Sequence, residues 1–254
     1  MPTFARTSTS TEYTQALASG LGAVLRGGDL LLLEGDLGAG KTTFVRGLAR
    51  SLGVQHGLVS SPTFVLVSEY PLPLECRGIR RLVHVDAYRL TSGDDLDSLG
   101  WDRYTIPSGG PQPDCVILVE WPARIAEALA AAPSTITVRL GHLDEASRSI
   151  DVEFPDALAP RPGVAELIER EPIRCPISQA WVEPTRATYP FAGEREKLAD
   201  LNKWFTGAYS IGRRATEADL DDLPDRAPHL PHLPHPPHPE HRPDSESGSS
   251  GTLR

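Results

Sequence analysis

Leu30-Leu-Leu-Leu-Glu-Gly-Asp-Leu-Gly-Ala-Gly-Lys-Thr-Thr43 is the stretch that decides the fold. Leu30–Leu33 is too short for a helix and apolar on both faces, as a central parallel strand requires. Gly35, Gly40, Lys41 and Thr42 then fill every fixed position of the phosphate-loop pattern, and helical periodicity follows over about 41–52. Strand, glycine-rich turn and helix in that order predict an α/β chain.

Upstream, Thr9-Ser-Thr-Glu12 has capping-box spacing and leads into a predicted helix over about 11–26, with Leu17, Leu21, Val24 and Leu25 as its buried stripe. Downstream, strands are predicted at 63–70, 81–86, 115–120, 134–140 and 148–154, the first two as a hairpin joined by the Pro-containing segment 71–78. The expected architecture is a P-loop NTPase with a mixed, mostly parallel central sheet, occupying residues 1–154.

Residues 155–214 form a less regular extension of unknown role, interrupted by seven prolines from Pro155 to Pro190. Within it, 194–205 reads as one helix sharing Leu198, Leu201, Trp204 and Phe205 on a face. The expectation is that this part packs back on its own domain, because large aromatics usually fill local cores. Residues 215–254 are Pro-, His- and Ser-rich, the composition of a disordered tail. His229, His232, His235, His238 and His241 recur every third residue, which invites a metal-binding reading against that of a low-complexity tail; polyproline II spacing sets them ~9 Å apart, too far to share one ion unless the chain bends.

Composition removes several function classes. No apolar run approaches the ~20 residues of a membrane span, and no secretory signal opens the chain, so a cytoplasmic protein is expected. Cys76, Cys115 and Cys175 are odd in number and widely spaced, which predicts reduced thiols. The net charge of −9 opposes a protein that grips nucleic acid alone. Only three lysines occur, so Lys41 is the single one in the first 196 residues.

The phosphate loop explains each of its residues. Glycines let backbone N–H groups curve around an oxyanion, and the helix start adds its free donors and positive dipole end. Lys41 supplies a mobile cation for outer phosphates, the Thr42 hydroxyl a magnesium ligand, and Thr43 a donor to an inner phosphate. A nucleoside triphosphate with Mg2+ is the expected cofactor pair. Glu120, closing the apolar run Val116–Val119, is the candidate second metal partner. Trp121 follows it and, by strand alternation, points the opposite way. His84 and Asp86 share one face of the 81–86 strand. Asp86 is the candidate to hold a magnesium-bound water or orient an attacking one, and Arg89 to pair with a carboxylate or phosphate. Ser61-Pro-Thr-Phe64 sits where mobile loops contact the outer phosphate of nucleotide switches.

Together Gly35–Thr43, Ser61-Pro-Thr-Phe64, His84-Val-Asp-Ala-Tyr-Arg89 and Leu118-Val-Glu-Trp121 resemble the TsaE (YjeE) family of P-loop ATPases over about residues 7–154. The resemblance implies participation in making threonylcarbamoyladenosine in tRNA, as an ATP-hydrolysing subunit that works with the TsaD and TsaB proteins and meets tRNA only through that complex. It implies that Leu37, Gly38, Ala39, Gly40, Lys41, Thr42 and Thr43 hold the phosphates of ATP and that Thr42 and Glu120 hold Mg2+. Asp86, Lys41 and Glu120 form the implied catalytic set. Thr11 and Thr14 are implied to lie near the base, and Trp121 near the nucleotide. It also implies a weak ATPase that depends on its partners. The C-terminal hundred residues are outside the resemblance.

Two other readings compete. A small-molecule kinase on the same loop would need a lid of phosphate-binding arginines, for which Arg77, Arg80 and Arg81 are candidates. A nucleotide-dependent assembly factor would need binding but not turnover.

Overall fold

The computed structural model describes residues 1–55, 57–62, 66–91, 93–130, 132 and 135–206. Seven strands form one sheet: β1 (Thr3–Ser8), β2 (Leu30–Glu34), β3 (Val67–Cys76), β4 (Ile79–Asp86), β5 (Cys115–Glu120), β6 (Thr135–His142) and β7 (Arg148–Glu153). Their order is β1-β7-β6-β2-β5-β4-β3. The inner strands β6, β2, β5 and β4 are mutually parallel, while β7 and β3 run antiparallel to their neighbours. The sheet is therefore mixed and mostly parallel, as the alternation of apolar runs and helices predicts.

Burial on both faces explains why β2 and β5 lack a polar side before their terminal Glu34 and Glu120. Leu31, Leu33, Val116 and Leu118 join a core with Leu17 and Leu21 of helix α1 (Thr11–Val24) and Phe44 and Leu48 of helix α2 (Lys41–Ser51). Leu30, Val83, Val85, Ile117 and Val119 face the other way, onto Leu90, Leu96, Trp101, Tyr104, Ile125 and Leu129. That second cover comes from residues 87–130, with the short helices α3 (Gly93–Ser98) and α4 (Ala126–Leu129) and three 3-10 turns.

Local chemistry shifts several predicted boundaries. Ser10, not Thr9, caps α1, its hydroxyl accepting from the Tyr13 amide at 3.1 Å. The helix stops at Val24, and the Arg77 guanidinium donates to the Leu25 and Gly22 carbonyls, satisfying acceptors its last turn leaves open. β3 runs through Pro71 and Pro73 to Cys76, beyond the predicted end at 70, because an edge strand tolerates proline. Arg77 and Gly78, both at positive φ, make the two-residue turn into β4. β1 was not expected; Phe4 and Ser8 are its only buried residues, too sparse a pattern to read as a strand.

Beyond β7, residues 154–182 add to the α1–α2 side. Phe154, Leu158, Val164 and Leu167 enter that core, the last two from helix α5 (Val164–Glu169). Trp181, in the small pair of β8 (Ile173–Arg174) and β9 (Trp181–Val182), meets Tyr13 edge-on at 5.5 Å. Arg161 clamps buried Asp29 with two bonds, of 2.5 and 3.2 Å. Helix α6 (Glu194–Phe205) forms over the predicted residues but does not pack back: Leu198, Leu201, Trp204 and Phe205 are all exposed, Phe205 by 81%. The disordered-tail and histidine expectations fall outside the described residues. So do Thr63 and Phe64, position 134, and the first residues of the predicted 63–70 strand.

Candidate nucleotide site

The carboxyl end of β2 delivers the chain into residues 35–40 and then into α2, beside the carboxyl ends of β5 and β4. Open α/β sheets bind ligands at such a strand end. Gly35 is required here because a Cβ would lie 2.2 Å from the Leu140 carbonyl oxygen. Gly40 caps α2 in the left-handed conformation, φ 104°, with no side-chain cap, so the first-turn amides of the helix are left to an external acceptor.

A cleft of about 270 Å³ opens over this helix start, lined by Leu37, Gly38, Gly40, Lys41, Thr42, Thr43, Ser61, Asp86, Tyr88, Glu120 and Trp121. Ala39 is fully buried and gives the loop its anchor in the core rather than a wall of the cleft. Lys41, only 5% exposed, folds its ammonium back onto the Gly35 and Asp36 carbonyls at 2.7 and 2.9 Å. The same nitrogen sits 3.8 Å from the centre of the Trp121 ring. Burial lowers the Lys41 pKa, against the opposing pull of Glu120, Asp86 and Asp36.

Thr42 donates to Glu120 Oε1 at 3.1 Å, so the hydroxyl and the strand-end carboxylate converge as a pair of oxygen donors. The same Oε1 receives His84 Nε2 at 2.9 Å, and since a carboxylate only accepts, Nε2 carries the proton. His84 is fully buried and Glu120 3% exposed; His84 Nδ1 has no partner among the described residues. Asp86 accepts from the Ser61 hydroxyl at 3.2 Å and the Tyr88 amide at 3.0 Å, the latter capping the 3-10 turn Ala87–Arg89. Arg89 ends that turn on the surface.

Trp121 departs from strand alternation. Its backbone is left-handed, φ 61° and ψ 48°, which is rare for a bulky side chain, and it turns the indole into the cleft beside Glu120 instead of away from it. Tyr88 packs on that indole at 5.1 Å. In the sequence it is marked only by its place in the His84–Arg89 motif, two residues after Asp86. Thr11 and Thr14 lie on the other side of the loop, in a cavity of about 140 Å³ with Gly38, Gly40, Thr43 and Arg148. Thr14 is buried and bonded to Ser8 at 2.7 Å, leaving Thr11 the more open of the two. Arg148, and His142, whose Nε2 lies 3.3 Å from the Leu37 carbonyl, were not anticipated. The pairing of β6 with β2 brings His142 to the loop, a neighbour relation that sequence spacing does not encode, and the pairing of β7 with β6 sets Arg148 opposite His142.

The arginines that a kinase lid would need are otherwise engaged. Arg77 holds the end of α1, and Arg81 pairs with Asp114 at 3.2 Å and Glu69 at 4.0 Å.

Fold and site define the class: an α/β protein in which a glycine-rich loop, a buried lysine and a strand-end carboxylate converge on one helix start. The sequence model of the family described as "Threonylcarbamoyl adenosine biosynthesis protein TsaE" matches residues 8–150. The chain belongs to the TsaE family, whose proteins are involved in tRNA threonylcarbamoyladenosine biosynthesis. It is 40% identical over 134 residues to the Bacillus subtilis protein of that name, covering 53% of this chain and 76% of the relative. The Treponema pallidum protein of the same name is 35% identical over 145 residues, covering 57% of this chain and 96% of the relative. Among solved structures, Bacillus subtilis YdiB aligns at 30% identity and a TM-score of 0.49, over 65% of this chain and 94% of that one.

Proposed function

We propose that this chain is the Mg2+-dependent ATPase subunit of the threonylcarbamoyladenosine machinery, acting in the cytoplasm with TsaD and TsaB and reaching tRNA only through them. The observation that carries the proposal is the meeting of the Thr42 hydroxyl and the Glu120 carboxylate, 3.1 Å apart at the start of α2. Oxygen donors of this kind suit Mg2+, which is usually held by one or two protein groups together with substrate phosphates. When bound, the ion supplies positive charge against the charge that develops on the transferring phosphoryl group.

The remaining roles belong to the chain itself. Backbone amides from Leu37 to Thr43 donate to phosphate oxygens, and the Lys41 ammonium exchanges its two loop carbonyls for the outer phosphates. Trp121 keeps that ammonium in place from its other side. Asp86, buried and held by Ser61 and Tyr88, orients the attacking water. Thr11 and Thr14 border the base. The mixed charge of the cleft, one lysine against Asp86 and Glu120, fits an enzyme whose turnover waits for a partner's contribution. Among the described residues no helix is long and apolar enough to cross a membrane.

Equilibrium ATP binding with and without magnesium tests the assignment. Wild type binds more tightly with the ion, Thr42→Ala loses that gain, and Lys41→Ala loses ATP binding. Unchanged ATP affinity in Lys41→Ala overturns the site.

A further inference from the structure

A third cavity, of about 370 Å³, lies at the crossing of α1 and α2, on the side of α2 away from its N-terminal turn. Gly47 makes the crossing close: a Cβ there would sit 2.4 Å from the Gln15 carbonyl oxygen and 2.6 Å from its Cα. The approach sets Gln15 of α1 beside Arg46 and Arg50, which are four apart on α2 and share one face. The loop after α2 closes the cavity with Gln55, Gly57 and Ser60, and Val54 and Val59 give it apolar wall.

The lining is notable for its charge. It carries two guanidinium groups, two carboxamides and a hydroxyl, and no carboxylate among its described residues, in a chain of net charge −9. Arg46 is fixed by its Nε, which donates to the Val59 carbonyl at 3.0 Å. Holding a guanidinium by Nε sets its plane and directs its terminal amino groups elsewhere, the arrangement that suits a forked contact with a phosphate.

We propose that this cavity is an anion site that takes a phosphate group, bound by Arg46 and Arg50 with Gln15, Gln55 and Ser60 as neutral donors. A phosphodiester of an RNA backbone and a small phosphorylated molecule present the same chemistry. The loop that closes this cavity continues into Ser61, which bonds Asp86 in the nucleotide cleft, so the two sites share one wall. Only that last link rests on the proposed ATPase role; the anion site stands on its own lining.

Amide NMR on the full chain tests it, with inorganic phosphate and a short single-stranded RNA as probes and with wild type, Arg50→Glu, Arg50→Gln and Lys41→Ala compared. The amides of Arg50, Gly57 and Ser60 are expected to shift saturably. Arg50→Glu weakens that response by about tenfold or more, since a hydrogen bond to a charged group is worth about 1.5–3 kcal/mol. Arg50→Gln, which keeps a side chain of similar reach on an exposed helix position, weakens it in the same direction. Lys41→Ala removes only the shifts at Gly38 and Gly40, separating this site from the phosphate loop. Response to RNA identifies a backbone phosphate as the ligand, and response to phosphate alone a small phosphorylated molecule. If neither probe moves these amides, or both Arg50 variants respond as strongly as wild type, Arg50 serves only as the favourable charge in the last turn of α2 and the proposal fails.

Discussion

Replacing Glu120 in two ways separates its structural from its chemical work. Its Oε1 is the acceptor for both the Thr42 hydroxyl and His84 Nε2, and the His84 ring is fully buried with Nδ1 already unpartnered among the described residues. Glu120→Ala therefore leaves an imidazole with neither nitrogen satisfied, at about 1–3 kcal/mol for the stranded donor alone. For a domain of this size that is roughly 4–8 °C in Tm for 2 kcal/mol. Glu120→Gln keeps the volume and an acceptor oxygen, and His84 can change tautomer to meet the amide nitrogen. Its stability should stay within about 1 kcal/mol of wild type. Loss of the negative charge beside Thr42 should nevertheless cut magnesium-dependent ATP turnover by about 10²–10³-fold, the scale on which one preorganised electrostatic group acts. Thermal unfolding and steady-state turnover on the three proteins give the answer. Full magnesium-dependent turnover in a stable Glu120→Gln would refute the reasoning, as would equal destabilisation by both substitutions.

Other outcomes follow from the same geometry. Asp86→Asn should leave magnesium-dependent ATP binding within about threefold of wild type while lowering turnover by about 10²-fold or more, the range of a lost general base; intact tRNA modification by that variant would favour the assembly-factor reading. Arg161→Ala strands buried Asp29, which keeps the Arg26 amide at 2.8 Å, and should cost about 2–3 kcal/mol in urea unfolding, somewhat less than a fully buried broken pair. Loss of no stability would show that 155–182 does not brace the α1 side. Burial pushes the Cys175 thiol up, but hydrogen bonds from Ser178, Ala192 and Ile177 outweigh it and hold its pKa at about 7, against an ordinary 9.0, while burial pushes Cys115 up to about 12. Between pH 7 and 9 the unfolded chain then holds the Cys175 proton longer than the folded one, so this residue's contribution to stability rises with pH. The thiolate absorbance lost in Cys175→Ser should titrate near pH 7; a midpoint near 9 would contradict it.

The centre of the fold was legible because its physics is local. Leu30–Leu33 and Val116–Val119 announce strands buried on both faces, and Gly35 to Thr42 announce the loop between strand and helix. The convergence of Thr42 and Glu120 followed from parallel neighbours ending together, since Leu33 lies opposite Glu120. Strand alternation alone misplaces Trp121, which the family resemblance sets near the nucleotide, because a left-handed residue breaks the period-two rule. β1 hid behind a polar sequence, and β3 behind prolines that only its edge position permits. The exposed face of α6 shows the limit of periodicity. Leu198, Leu201, Trp204 and Phe205 give an amphipathic pattern that sets where the helix forms, yet that pattern does not say what lies against it.

The most direct test of the central claim is magnesium-dependent ATP turnover by the full chain, alone and with TsaD and TsaB from the same source, with Lys41→Ala as control. Slow turnover alone, stimulation by the pair and none with Lys41→Ala is the predicted result. Turnover that the pair does not change, or that survives in Lys41→Ala, would contradict it.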